Sequence, residues 1–265
     1  MKVSALYCYP IKSCRGTALD PATVGPRGIH GDRCLMLVGP DGGFLTQREH
    51  PRLALIQPQW RSESLEVTAP GMPPHLLEPT TRGPRRPVTI WRDTCEAVDQ
   101  GEAAAQWFSA YLGIACRLVR LADDFSRRVD ARFAPRPTDQ TSFTDGYPFL
   151  VLSQASLDDL NGRLASPLPM DRFRPSIVVA GSPPFAEDAW KVIRIGGIVF
   201  DLVKPCSRCA ITTTDQATAE RGVEPLRTLA AYRTVNGKVL FGQNAIHRGT
   251  GQLRRGDAVE VLERR

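Results

Sequence analysis

Short apolar stretches rich in Val, Ile, Leu and Thr recur along most of the chain, and turn residues separate them. Gly and Pro occur 22 times each. Such stretches are typical of β-strands, so the sequence predicts a β-rich barrel or sandwich. The predicted strands lie in VSALYCYPI, RCLMLVG, LALIQPQW, SLEVTAP, PVTIWR, CRLVRL, PFLVLS, SIVVAG, KVIRIGGIVFDLV, AITTTD, KVLFGQNAIH and AVEVLER.

Three segments instead place apolar residues at helical spacing. Residues 101–113 have one apolar face, and Gly113 is suited to end the helix. Residues 153–164 begin at Ser153, a residue type suited to cap a helix N-terminus. Residues 224–233 have Pro225 in the first turn. The fold class is therefore mainly β with some α (α+β). The face of the first helix consists of Ala104, Trp107, Phe108 and Leu112.

Two segments, 61–90 and 121–144, have weaker patterns and more Pro, Arg and Asp. The second has the character of a linker or a long functional loop, and we place a domain boundary near it. The predicted organisation is a small β-rich domain at 1–90, a helix and linker at 91–139, and a second β-barrel domain at 140–265. A ligand site is expected in the cleft between the two domains.

Composition indicates a globular protein with a basic surface. The 265 residues are 42% hydrophobic and carry a formal charge of +6. The basic residues are scattered and aromatic residues are not interleaved with them, so we expect an anionic small molecule rather than nucleic acid. No signal peptide or span of about 18 apolar residues is visible. Seven cysteines, an odd number, indicate a reducing cytoplasm rather than a disulfide framework.

The segment KPCSRC places two thiols, Cys206 and Cys209, three positions apart. Zinc would need further ligands, and only His247 follows. A redox dithiol would begin a helix, whereas β-branched residues follow here. Two ordinary partly buried cysteines are the remaining alternative. Because Lys204 and Arg208 favour a thiolate, a soft metal carrying an anionic chelate also fits.

Several basic and turn residues could hold such an anion. Lys12 and Ser13, with Arg15 close by, offer a charge and donors just after a strand. Arg172 and Arg174 precede another strand and alternate with Phe173, so both could point to one face. The sequence also places Asp32 and Arg33 at a strand edge, and Asp145 and Gly146 in a turn.

The ordered motifs YPIKSCRG, GDRCLMLV, TQREHPRLALI, FTDGYPFLVLSQASLDDLN, FRPSIVV, FAEDAWKVIRIG, CSRCAITTTDQATAERGVEPLRTLAAYR and LFGQNAIHRGTGQLRRGDAVEVL span residues 1–263. Together they resemble the MOSC-domain proteins (molybdenum cofactor sulfurase C-terminal) that carry an N-terminal β-barrel domain. The resemblance is to the bacterial and mitochondrial amidoxime-reducing type. One departure is Ser176, where many relatives have asparagine.

The resemblance implies a molybdenum cofactor, Mo-molybdopterin, with Cys209 as metal ligand and catalytic residue. Thr46 is a further candidate near the metal. The residues implied in cofactor binding are Lys12, Ser13, Arg33, Asp145, Gly146, Tyr147, Arg174, Ser207, Arg208 and Cys209.

The resemblance also implies an oxidoreductase that reduces N-hydroxylated compounds such as hydroxylamines, amidoximes and N-hydroxylated bases. No cysteine follows Cys209 to hold an iron–sulfur cluster. We therefore expect electrons from a separate ferredoxin-like protein or flavoprotein reductase, and neither nucleic acid nor membrane as partner. The alternative is a non-catalytic carrier of the cofactor, or of persulfide sulfur on Cys209.

Overall fold

A computed structural model describes residues 1–265. The predicted class, mainly β with some α, is confirmed. The strands are β1 (Lys2–Cys8), β2 (Thr17–Leu19), β3 (Ala22–Gly25), β4 (Gly28–Ile29), β5 (Leu35–Val38), β6 (Gln57–Arg61), β7 (Ser64–Thr68), β8 (His75–Leu77), β9 (Arg85–Ile90), β10 (Asp93–Asp99), β11 (Arg117–Leu121), β12 (Phe149–Ser153), β13 (Ile177–Ala180), β14 (Trp190–Ile195), β15 (Ile198–Ser207), β16 (Thr234–Val235), β17 (Lys238–His247), β18 (Gly251–Leu253) and β19 (Val259–Arg264). The helices are α1 (Glu102–Leu112), α2 (Gln154–Asn161) and α3 (Leu226–Arg233), with 3₁₀ helices at Pro51–Leu55, Met170–Phe173, Ala186–Ala189 and Ala210–Thr213. None of the helices has the length and apolar character needed to cross a membrane.

A nine-stranded sheet joins the two ends of the chain. Its order is β19-β14-β15-β17-β12-β13-β1-β2, with β16 beside β17. Strands β12 and β13 are parallel, whereas β1 is antiparallel to β13. The segments that precede β12 and β13 therefore lie at the same sheet edge as the segment that follows β1. This sheet places β1, from the predicted first domain, beside strands of the predicted second domain. The predicted domain boundaries stay a prediction.

Three smaller sheets complete the fold. Strands β5, β11, β10 and β9 form one, β6, β7 and β8 form another, and β3 pairs with β4 and β18. The largest hydrophobic cluster has 19 buried residues and lies mostly under the nine-stranded sheet. A second cluster of 16 buried residues lies in the N-terminal part, where α1 packs on β8 and β11. Each half thus has its own core.

Helix α1 lies within the predicted range and ends as predicted. Ala104, Trp107 and Phe108 are buried, whereas Leu112 is only partly buried and Tyr111 is buried in its place. Gly113 adopts a left-handed conformation with φ +72°, and its N–H donates to the Ser109 carbonyl. A left-handed C-cap costs glycine little, so this residue ends the helix.

Helix α2 also falls in the predicted range, but its N-terminus is capped differently. The Ser153 hydroxyl bonds to Ser182 instead of capping the helix. The Glu187 carboxylate, from the 3₁₀ helix Ala186–Ala189, accepts the Ser153 N–H at 3.2 Å and the Ser156 hydroxyl at 2.8 Å. A carboxylate is favoured at a helix N-terminus. The cap therefore comes from a residue far along the chain, which local sequence did not indicate.

Glu187 offers a stability test. Glu187→Ala should lower the free energy of unfolding by about 1–3 kcal/mol, because the buried Ser153 N–H and Ser156 hydroxyl lose their acceptor. Burial raises the pKa of Glu187 although Ser156 and Ser153 oppose the shift. The folded state thus holds this proton more tightly than the unfolded state does. Relative to Glu187→Gln, the native chain should gain stability as pH falls from neutral through the raised pKa. Urea unfolding at pH 7 compares Glu187→Ala with the unaltered protein. Urea unfolding at pH 7 and pH 5.5 compares Glu187→Gln with the unaltered protein. If the difference in stability between these two proteins is the same at both pH values, the expected pH dependence is contradicted.

Helix α3 lies within the predicted range 224–233 and begins one residue after Pro225. Two predicted strands are wrong in part. The segment AITTTD is a 3₁₀ helix at Ala210–Thr213, because the Thr212 and Thr213 hydroxyls donate to carbonyls three residues back. Residues 51–55 are also a 3₁₀ helix, which Pro51 begins. The sequence did not predict β2, β3, β4, β8, β10, β16 or β18.

The linker between β11 and β12 is fixed by one buried guanidinium. Arg127 is 4% exposed and donates to the carbonyls of Ser142 at 2.8 Å and Thr144 at 2.6 Å. It also pairs with Asp93 of β10. Because Thr144 begins the turn that contains Asp145, this contact positions a predicted site residue from inside the linker.

Candidate functional site

A cavity of about 380 Å³ lies between the N-terminal and C-terminal parts of the chain. Its lining comes from residues 12–91 and from residues 144–244. All ten residues that the family resemblance implied line this one cavity. Their role in binding a cofactor stays a prediction, but the fold brings them together from five separate segments.

One end of the cavity is formed by the segments at the shared sheet edge. Lys12 and Ser13 follow β1, Arg33 precedes β5, and Arg174 precedes β13. Ser13, Arg33 and Arg174 have φ values of +67°, +44° and +55°. A positive φ is unfavourable for residues other than glycine, and residues that adopt it are often found at functional sites. Four of the eight such residues in the chain, these three and Trp91, therefore line the same cavity.

Tyr9 holds the two arginines of this end in place. The centroid of its buried ring lies 4.5 Å from the guanidinium carbon of Arg33 and 4.3 Å from that of Arg174. Asp32, which is buried, pairs with Arg33 and accepts the Tyr9 N–H at 2.8 Å. Arg174 donates to the Cys14 carbonyl at 2.6 Å. Both cations are thus fixed without any ligand.

Lys12 is a buried cation with one acidic partner. Its Nζ lies 2.6 Å from the Asp145 Oδ1, and its side chain is 6% exposed, compared with 59% for Asp145. Burial lowers the pKa of Lys12 to about 8, although Asp145 opposes the shift. Desolvation works against the Asp145 charge, but Lys12 and then Arg48 hold the pKa of that carboxyl well below its usual range. An anion bound beside Lys12 would raise its pKa again.

The other end of the cavity contains both thiols of the CSRC segment. Cys206 and Cys209 are free and partly exposed at the end of β15. Arg208 donates to the Cys206 sulfur at 3.0 Å and to the Phe173 carbonyl at 2.7 Å. Arg48 donates to the Cys209 sulfur at 3.1 Å. Each sulfur therefore has its own guanidinium partner.

Arg48 lines the cavity although it is not among the predicted site residues. Thr46, the predicted candidate in the same segment, is 4% exposed and does not line the cavity. Its hydroxyl accepts from the Arg48 guanidinium at 3.1 Å, so it positions Arg48 instead. Arg48 also lies 3.8 Å from the Asp145 carboxylate. The segment that contains Thr46 does approach the cavity, but only the fold shows which of its side chains reaches the sulfur.

Arg172 and Arg174 do not share a face, contrary to the prediction. The 3₁₀ helix Met170–Phe173 replaces the expected extended backbone, so side chains no longer alternate. Arg172 points to Asp215, at 2.9 Å, and donates to the Thr212 carbonyl. Only Arg174 lines the cavity. Arg15 and Ser176 do not line it either, and Ser176 is fully buried.

The remaining thiol alternatives find little support in the geometry. His247 bonds through Nε2 to the Gly25 carbonyl at 2.8 Å, and no group of three or more His, Cys, Asp or Glu side chains is arranged to hold a metal. Cys209 precedes a 3₁₀ helix of four residues rather than an α-helix. A zinc site built by the protein alone and a thioredoxin-type dithiol are therefore both disfavoured.

Tyr147 and Lys204 form a further part of the lining. The Lys204 ammonium lies 4.5 Å from the Phe133 ring centroid and 6.0 Å from that of Tyr147. Phe133 belongs to the linker, and its ring packs edge-on against Tyr147. The predicted functional loop thus borders the cavity, although Phe133 itself is not a lining residue.

Two family profiles match the chain: the MOSC N-terminal beta barrel domain at residues 1–115 and the MOSC domain at residues 138–260. Mitochondrial amidoxime-reducing component 1 is 36% identical in Mus musculus and 35% identical in Homo sapiens. In both cases the match covers 98% of this chain and 82% of the relative. A molybdenum cofactor sulfurase of Danio rerio is 33% identical over 91% of this chain and 31% of its own length.

Proposed function

This chain belongs to the MOSC-domain family whose members carry a MOSC N-terminal β-barrel domain, and from that premise we propose that it is a molybdenum-cofactor-dependent reductase of N-hydroxylated compounds. Its substrates would be hydroxylamines, amidoximes and N-hydroxylated bases. Two relatives that resemble it over most of their length are named for amidoxime reduction. Electrons would come from a separate donor protein.

The residues present fit an anionic cofactor that carries a soft metal. The cavity lies in the size range of small-ligand sites, about 300–1,000 Å³. Six of its lining side chains are cationic and only Asp145 is acidic, which favours a phosphate. The buried Nε of Arg208 has no hydrogen-bond partner in the protein. The cations are Lys12, Arg33, Arg48, Arg174, Lys204 and Arg208.

The observation that carries the proposal is a partly exposed sulfur, that of Cys209, in the same cavity as this cationic grip. Lys12, Ser13, Arg33 and Arg174 would hold the phosphate end. Cys209 would hold the metal, because a thiolate is a soft ligand. A charged chain from Lys12 through Asp145 and Arg48 to Cys209 connects the two ends.

The bound cofactor would supply the two-electron chemistry that breaks the N–O bond. The protein would fix the geometry around it. Arg48 orients the Cys209 sulfur, and Thr46 orients Arg48. Asp145 is a poor proton donor, since Lys12 holds the pKa of its carboxyl well below the usual range. It would instead anchor the cavity wall through its hydrogen bonds with Lys12 and Trp91.

A direct test begins with protein made in cells that synthesise the cofactor. We expect elemental analysis to find molybdenum together with a pterin, and reduced methyl viologen to drive reduction of hydroxylamine. A reductase needs both results. If neither molybdenum nor pterin accompanies the purified protein, the cofactor assignment is wrong.

A second candidate function is transport of the cofactor or of sulfur as a persulfide on Cys209. Two features favour it: a second thiol, Cys206, lines the same cavity, and one relative is named as a sulfurase. A carrier would hold molybdenum or labile sulfur without turnover. Protein that contains the cofactor but never reduces hydroxylamine would therefore support this candidate over the reductase.

A further inference from the structure

Trp91 occupies a backbone position that does not suit it. Ile90 pairs with Asp93, so Trp91 and Arg92 alone form the loop between β9 and β10. Trp91 has φ +56°. Two-residue hairpin loops place glycine, asparagine or aspartate at such a position, because a side chain is strained there. The side chain is also 46% exposed, which is unfavourable for an indole. Turn geometry therefore gives no reason for tryptophan here.

The contacts of Trp91 fix its ring at the rim of the cavity. Its Nε1 donates to the Asp145 Oδ1 at 3.2 Å. The Arg48 guanidinium lies 4.7 Å from the ring centroid, and the same side chain donates to the Cys209 sulfur. Phe44 packs edge-on against the ring at 5.0 Å. The indole is thus held in a defined orientation, one side chain away from the sulfur that would bind the metal.

Trp91 presents the most exposed aromatic surface of the cavity. Phe149 and Phe173 also line it but are at most 1% exposed, and Tyr147 is partly buried. An indole face binds flat rings by stacking, which contributes about 0.5–1.5 kcal/mol beyond the buried area. A flat group bound in the cavity beside the indole would contact this surface.

We propose that Trp91 is a specificity-determining residue that stacks on the flat aryl group of an aryl-substituted N-hydroxylated substrate, such as an aryl amidoxime. This inference rests on the proposed reductase function.

The test compares two substrates of the cofactor-loaded protein, benzamidoxime and hydroxylamine, which has no aryl group. In Trp91→Gly the ratio of kcat/KM for benzamidoxime to that for hydroxylamine should fall about tenfold or more, mainly through KM. Trp91→Phe keeps a ring but lacks the N–H, so it should retain most of the ratio. The inhibition constant of benzamide, a neutral flat analogue, should rise about tenfold in Trp91→Gly.

Stability separates this role from a structural one. Because glycine relieves the positive φ, Trp91→Gly should keep or raise the melting temperature. Leu76→Ala, which removes an exposed apolar side chain outside the cavity, should leave the substrate ratio unchanged. If the unaltered protein reduces both substrates and Trp91→Gly keeps their ratio, the specificity role is overturned while the reductase function stands. If the unaltered protein reduces neither substrate, the reductase function fails and this inference fails with it.

Discussion

Replacing Cys209 by serine should remove molybdenum from the purified protein and lower hydroxylamine reduction by at least about 100-fold. The reason is that a ligand to the metal must be deprotonated, and a serine hydroxyl gives up its proton far less readily than a thiol. The fold should persist, because Cys209 is partly exposed and its only side-chain hydrogen bond is to Arg48. Metal analysis measures the molybdenum content, the melting temperature tests whether the fold persists, and turnover measures hydroxylamine reduction.

Cys206→Ser is the matched control, since both thiols line the same cavity and each has an arginine partner. We expect this variant to retain molybdenum. The opposite result, in which Cys206→Ser loses the metal and Cys209→Ser keeps it, would exchange the roles of the two sulfurs. Retention of molybdenum by both variants would show that neither thiol is needed as a ligand.

Removal of the Arg33 guanidinium should have the second large effect, on both stability and cofactor content. Asp32 has a side chain that is 3% exposed, and Arg33 is its ion-pair partner. Burial raises the pKa of Asp32, and Arg33 opposes that shift. Arg33→Met would leave this carboxylate buried and unpaired, which costs about 3–5 kcal/mol. Urea unfolding should show that loss.

A double variant separates the two roles of Arg33. In Asp32→Asn combined with Arg33→Met no charge is left buried, so most of the lost stability should return. Cofactor content should not return, because one of the guanidinium groups proposed to bind the cofactor phosphate, that of Arg33, is still missing. We expect molybdenum occupancy to stay below about a tenth of the unaltered level, as the loss of charge-assisted hydrogen bonds implies. A stable double variant with full occupancy would exclude Arg33 from the grip.

Much of the fold could be predicted from local pattern. The three helices appear within their predicted ranges, because helical spacing of apolar residues and signals such as Gly113 act locally. Most predicted strands also appear. The errors have local causes as well: in AITTTD, threonine hydroxyls bond to backbone carbonyls three residues back and produce a 3₁₀ helix where β-branching favoured a strand.

Other features depended on contacts between distant segments. Glu187, which follows β13 in the sequence, accepts the Ser153 N–H at the N-terminus of α2. Arg127, in the linker, donates to the Thr144 carbonyl and so holds the turn that contains Asp145. Neither contact leaves a signal in the neighbouring sequence. Their partners are separated by 15 to 34 residues, so only the folded chain pairs them.

For the site, the sequence determined which residue types are available and, through ordered motifs, which family the chain resembles. It predicted two thiols beside cations and several basic turns. The tertiary structure decided that these segments meet in one cavity, because β1 is antiparallel to β13, which is parallel to β12. It also decided that Arg48 rather than Thr46 reaches Cys209, that Arg172 turns away, and that Trp91 borders the opening. The physical reason is that residue chemistry is local, whereas the direction of a side chain depends on strand pairing and backbone conformation, which distant residues set.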